Sequence, residues 1–190
     1  MARFAQTIAD NRQRSAFASC DTRAISPVTR LDAFILRMQA QRACIDEVAR
    51  VAVGNTGLVL ELGLGNGRTY DHLRQRFAGS RIVVFDREIA AHPDCIPALG
   101  DQRLGDFRTT VPAFAAEFPA AAMFIHADIG SANRAASIKL AQDLAPFLKS
   151  LSLPGGYVAC DQPVVIEGFM PLPLPGGDFG GAYHFLRNTG

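Results

Sequence analysis

Val59-Leu60-Glu61-Leu62-Gly63-Leu64-Gly65-Asn66-Gly67-Arg68-Thr69 decides how this chain folds. A short apolar run ends on glycines at alternate positions and then turns polar, the pattern of a buried strand handing over to a helix. Glycine has no Cβ, so such a loop can turn tightly and bring bare main chain within contact distance of a ligand. In open α/β sheets, ligands settle beyond the carboxyl ends of the strands, where the strand order reverses. This loop lies at such an end.

Outward from the loop, short apolar runs recur at 81–85, 122–126 and 156–160, with helical stretches at 69–77, 109–118 and 132–148. Strand and helix in alternation imply right-handed crossovers and a parallel sheet covered on both faces. Between 95 and 106 only a weak edge strand near Arg103-Leu104 is expected. Upstream, Ser26-Pro27 has the hydroxyl and proline of a helix start, and a stripe from Val28 to Val51 keeps helical spacing until Gly54. After Asp161, the stretches 164–170 and 182–187 are strand-like with no helix between them, so they should pair antiparallel as a terminal hairpin. The expected fold is therefore α/β: a doubly wound, Rossmann-like, mostly parallel sheet with an antiparallel last strand and helices on both faces. It forms one domain over 1–190, with a helical cover at 1–54, a cofactor-binding βα core at 55–163 and the hairpin at 164–190. Residues 1–25 read as one helix over the domain or as a partly mobile segment.

Composition narrows the partners. The 190 residues are 48% hydrophobic and 19% charged, which is globular. Nineteen Lys and Arg against eighteen Asp and Glu give no basic footprint, so nucleic acid is not expected. Residues 1–50 hold eight arginines against five acids, which suits a small anionic substrate but equally a solvated helix face. The four cysteines form no C-x-x-C pair, so they read as reduced core thiols with no metal site. No stretch resembles a signal peptide or a membrane span, and a cytoplasmic protein is expected.

Spacing decides among ligands. A dinucleotide fold wants G-x-G-x-x-G, whereas here the third glycine arrives one residue early and Arg68 takes its place. The P-loop ending in Gly-Lys-Ser/Thr is absent. Glu61 would oppose a pyrophosphate but suit a ligand with ammonium and sulfonium groups. Asp86 closes the next strand, nineteen residues after Gly67, where it can accept both hydroxyls of a ribose. Asp106, in Leu104-Gly105-Asp106-Phe107, can meet an adenine amino group. Each acid also has a plainer reading: Glu61 could fix the loop, Asp86 could cap a helix and Asp106 could stabilise a turn.

Glu61 to Gly67, Asp86, Gly105-Asp106 and Leu153-Pro154-Gly155-Gly156, taken in order, resemble the class I S-adenosylmethionine-dependent methyltransferases. The run LELGLGNGRTYDHL followed by VFDR is similar to a small group of compact bacterial members. The resemblance covers about 28–190. It implies S-adenosyl-L-methionine as cofactor, with Glu61, Gly63, Leu64, Gly65, Asn66 and Gly67 around its methionine end. Asp86, with Arg87 beside it, falls to the ribose, and Asp106 with Phe107 to the adenine. His126-Ala127-Asp128-Ile129-Gly130 departs from the N-P-P-Y type signature of amino-directed DNA and protein methylases, which counts against those substrates.

The expected activity is methyl transfer to a small-molecule acceptor. A chain without an added recognition domain suits a small substrate, or a site completed by a partner subunit, as in a homodimer. At the tip of the fourth strand Asp128 is the first candidate to orient or deprotonate the acceptor and His126 the second. Two rival readings stand beside this one: a nicotinamide-dependent oxidoreductase on a similar sheet, and a non-catalytic cofactor-binding or interaction module.

Overall fold

A computed structural model describes residues 28–181 and 183–190. The expectations for residues 1–25, the helix start at Ser26-Pro27 and the strand start at Ala182 fall outside the described residues. Among the described residues, seven strands lie in the order β3-β2-β1-β4-β5-β7-β6. They are β1 Leu58–Leu62, β2 Ile82–Asp86, β3 Gln102–Leu104, β4 Ala122–Ala127, β5 Ser152–Cys160, β6 Phe169–Leu172 and β7 His184–Asn188. The first five run parallel. β7 is inserted antiparallel between β5 and β6. The helices are α1 Arg30–Val51, α2 Arg68–Arg76, α3 Phe107–Glu117 and α4 Arg134–Leu151.

β1 and β4 are buried on both faces, which is why their sequences run almost continuously apolar instead of alternating. Alternation still sorts the side chains. Leu60, Leu62 and Ile125 join α3 and α4 in one core. Val59 and Phe124 join α1 and α2 in the other. Glu61 and His126 therefore project to the α1/α2 side, and they are direct cross-strand partners. Asp46 of α1 accepts a hydrogen bond from His72 Nε2 at 2.9 Å and forms an ion pair with Arg76 at 2.7 Å, and both contacts tie α1 to α2.

One boundary is set by a local cap and two differ from expectation. Helix α1 is capped by Thr29, whose hydroxyl accepts the Asp32 N–H at 3.1 Å while the Asp32 carboxylate reaches back to Thr29, a reciprocal capping box. β5 starts at Ser152, so the Pro-Gly-Gly run lies inside the strand at an irregularity of its pairing with β4. Gly156 is needed there, because a Cβ would fall 2.9 Å from the Leu153 carbonyl and 3.0 Å from that of Ala122. The stretch expected to begin a strand at Val164 pairs only from Phe169. Val164 and Ile166 are buried in the α3/α4 core, so their apolar character came from packing and not from a ladder. Among the described residues no helix is long and apolar enough to cross a membrane.

Candidate active site

The strand order reverses between β1 and β4, and the carboxyl ends of β1, β2 and β4 open there into a cavity of about 500 Å³. That lies within the roughly 300–1,000 Å³ of small-ligand sites. Gly63, Leu64, Gly65 and Asn66 form its floor, Asp86 and Arg87 one side, Phe107 and Arg108 another, and Asp128 the β4 end.

The three loop glycines have different reasons to be glycine. A Cβ on Gly63 would fall 2.2 Å from the Asp128 carbonyl oxygen, and one on Gly67 would fall 2.5 Å from the Cys95 Cβ. Both are needed for the protein's own packing. At Gly65 a Cβ would meet nothing within 4 Å, so here the bare backbone leaves space over the cavity. An alanine at Gly65 would carry only the left-handed backbone penalty of about 1 kcal/mol at its φ of 49°. Gly63→Ala should lower the thermal midpoint by clearly more than Gly65→Ala in calorimetry. Equal shifts would contradict this division of roles.

Asp86 faces both the cavity and the loop. One carboxylate oxygen accepts the Leu64 and Gly65 N–H groups at 2.8 and 3.1 Å, and the other accepts that of Arg87 at 2.6 Å. Since a carboxylate has about four acceptor positions, the clamp leaves limited capacity for a ligand hydroxyl. Asp106 serves the backbone at the start of α3. It caps α3 by accepting the Arg108 N–H at 2.8 Å, and the wall of the cavity there is made by Phe107 and Arg108 instead.

Glu61 and His126 lie outside the cavity. Both are fully buried beneath the loop and neither reaches the cavity wall. Glu61 accepts the Thr69 hydroxyl at the start of α2 and pairs with His126 Nδ1 at 2.7 Å. His126 Nε2 meets the Tyr183 hydroxyl at 2.6 Å. The result is an unbroken buried chain from α2 across β1 and β4 to the residue before β7. Burial opposes the imidazolium, but the Glu61 carboxylate outweighs it, helped by Asp128 and Asp161, and His126 sits above the usual histidine pKa. Burial likewise pushes the Tyr183 hydroxyl well up. Both ring nitrogens of His126 are engaged inside the core, and the ring does not reach the cavity.

Asp128 does face the cavity. Arg37 Nη1 donates to one of its oxygens at 3.2 Å and Gln41 Nε2 to the other at 2.8 Å. Arg37 and Gln41 are one helical turn apart on α1. The sequence reading missed them, although Gln41 was visible as a polar residue on a stripe it shares with Cys44, Ile45 and Val48, all buried. Behind Asp128, the Asp161 carboxylate at the end of β5 accepts the Ile129 and Gly130 N–H groups at 3.1 and 2.9 Å. Burial and the nearby Asp128 push its pKa up to about 6. Asp161 thus supports the loop after β4. Among the described residues no group of His, Cys, Asp and Glu is placed to hold a metal.

A family model for S-adenosyl-L-methionine methyltransferases matches residues 28–188. The chain belongs to that family. Among solved structures, an S-adenosyl-L-methionine methyl transferase from Silicibacter pomeroyi DSS-3 is 42% identical, with a TM-score of 0.80 over 84% of this chain and 98% of that one. Two others are remote. A probable spermidine synthase from Corynebacterium glutamicum is 16% identical (TM-score 0.45, 64% of this chain, 46% of that one). The Methanococcus jannaschii fibrillarin pre-rRNA processing protein is also 16% identical (TM-score 0.45, 70% and 66%). No curated protein matches significantly. The methyltransferase uses S-adenosylmethionine as its cofactor, which decides against a nicotinamide in the glycine loop. The cavity suits that cofactor: it has open space over Gly65, a carboxylate at the β2 tip and the apolar Phe107 beside it.

Proposed function

We propose that the methyltransferase acts on a small-molecule acceptor placed at Asp128. Gly65 and its neighbours Leu64 and Asn66 hold the methionine side of the cofactor, Asp86 takes a ribose hydroxyl, and Phe107 packs on the adenine. Asp106 contributes by setting the start of α3, and Glu61 by fixing the loop from below. When bound, the cofactor supplies an electrophilic methyl on sulfonium, whose displacement disperses charge. The protein's task is then alignment and exclusion of water. The observation that carries this reading is the Asp128 carboxylate, held on the cavity wall by Arg37 and Gln41. There it can orient an acceptor N–H or O–H and take its proton.

The test is transfer of tritiated methyl from S-adenosylmethionine to the dialysable fraction of a cell extract, for wild type and for Asp128→Asn. Asparagine keeps the shape but cannot take a proton. The variant should lose roughly 10²–10⁴-fold in rate while binding S-adenosylhomocysteine within about threefold of wild type. Label appearing in macromolecules alone, or a variant as fast as wild type, would contradict the assignment.

A further inference from the structure

The charges that line the crevice do not balance. Four arginines (Arg37, Arg68, Arg87 and Arg108) face two aspartates, Asp86 and Asp128. Arg37 is spent on Asp128 at 3.2 Å, and Arg108 on Asp143 at 3.1 Å. Asp86 is committed to three backbone N–H groups. Arg68 and Arg87 border the cavity with no acidic partner among the described residues. The cofactor does not restore the balance: its sulfonium and ammonium outnumber its single carboxylate, so it brings a net positive charge. Its carboxylate can satisfy one of the two guanidinium groups and leaves the other facing the space beside the reacting centre. A guanidinium group without an acidic partner at the rim of a recess attracts an entering anion.

A second, independent feature lies at the same place. Gln41 is 1% exposed and its Oε1 has no hydrogen-bond partner among the described residues. Its amide orientation is fixed, because Nε2 must face the Asp128 carboxylate. A buried acceptor left without a donor has lost its hydration with nothing in exchange. Gln41 also separates the main cavity from a smaller hollow of about 200 Å³ between α1 and α2, which Arg68 borders as well. The acceptor oxygens of Asp128 and Gln41 thus stand on the same crevice as an unneutralised cation.

From this juxtaposition, and resting on the small-acceptor reading above, we infer that the methyl acceptor is a small anion, a carboxylate or phosphate ester, bearing an N–H or O–H nucleophile. Its anionic group pairs with Arg68 or Arg87, and its donor hydrogen faces Asp128 and Gln41. On transfer, the lone pair of the nucleophile forms the bond to the methyl carbon as the carbon–sulfur pair returns to sulfur. The displaced proton passes to the Asp128 carboxylate.

The charge of the product can be measured before the acceptor is identified. Tritiated-methyl S-adenosylmethionine and the dialysable extract are incubated with the methyltransferase, and the labelled product is passed over an anion exchanger at neutral pH. The labelled cofactor is cationic and runs through. Retention of the product supports the inference. Of Arg68→Gln and Arg87→Gln, one should weaken S-adenosylhomocysteine, and the other should lower product formation at limiting extract by about 10- to 100-fold with S-adenosylhomocysteine affinity unchanged in calorimetry. Labelled product that flows through, or binds only a cation exchanger, overturns the anionic acceptor and leaves methyl transfer to a small molecule standing. If both arginine variants weaken S-adenosylhomocysteine but leave its carboxylate-free analogue 5′-methylthioadenosine unaffected, both cations serve the cofactor and the inference falls. Absence of any labelled small product brings down the small-acceptor reading itself, and this inference with it.

Discussion

Glu61→Gln should cost the methyltransferase roughly 3–5 kcal/mol of folding stability, the usual penalty for removing one partner of a buried ion pair. For a chain of this size that is a fall of about 10 °C in the unfolding midpoint. Glutamine fills the same volume and can still accept from Thr69, so the loss isolates the charge opposite His126 at 2.7 Å. The effect has a pH signature. The folded His126 pKa lies above its unfolded value. Its contribution is therefore complete below the unfolded pKa of about 6.5 and is lost as pH rises through the raised folded value. The wild-type advantage over Glu61→Gln should be widest near pH ~6 and shrink in alkaline buffer. A gap that stays constant or widens with pH would show that His126 is neutral in the fold. Tyr183→Phe removes the hydroxyl from Nε2 and should be milder, since the cross-strand pair survives.

Asp86→Ala should weaken S-adenosylhomocysteine binding by about 100-fold or more, beyond the loss of one ribose hydrogen bond. The carboxylate also holds Leu64 and Gly65 from behind at 2.8 and 3.1 Å, so the floor of the site loosens with it. Hydrogen bonds to a charged group contribute about 1.5–3 kcal/mol each. Asp86→Asn keeps one acceptor oxygen and should lie between. Calorimetric titration of both variants checks this. If alanine and asparagine lose equal affinity, the contact with ribose matters and the clamp does not. If neither loses any, the ribose is placed elsewhere.

The sheet was legible in the sequence because β1, β2 and β4 are buried on both faces, and burial writes itself as short apolar runs between glycine and helix signals. The site was legible only where local pattern sets local geometry. Gly63, Leu64, Gly65, Asn66 and Asp86 line the cavity, since a strand tip and the following turn are positioned by their own few residues, whereas Gly67 packs against Cys95. What failed depended on neighbours distant in sequence. Nothing local to Glu61 announces that His126, paired with it across strands, turns its carboxylate inward. Nothing in Asp106 distinguishes a helix cap from an adenine contact. His126 and Asp128 both belong, by sequence, to the tip of β4. In the fold, the strand ends between them, so one is sealed in the core and the other reaches the cavity. Arg37 and Gln41 needed the docking of α1, which tertiary packing decides. The terminal strands were expected as a hairpin and do pair with each other, but the insertion of β7 beside β5 is a choice of sheet edge that local pattern does not encode.

A crystal structure with S-adenosylhomocysteine bound tests the assignment of the crevice most directly. The adenosyl group should lie between Asp86 and Phe107, with its sulfur over Gly65 and turned toward the Asp128 carboxylate. A ligand seated with its sulfur away from β4, or one that leaves the glycine loop uncovered, would contradict it.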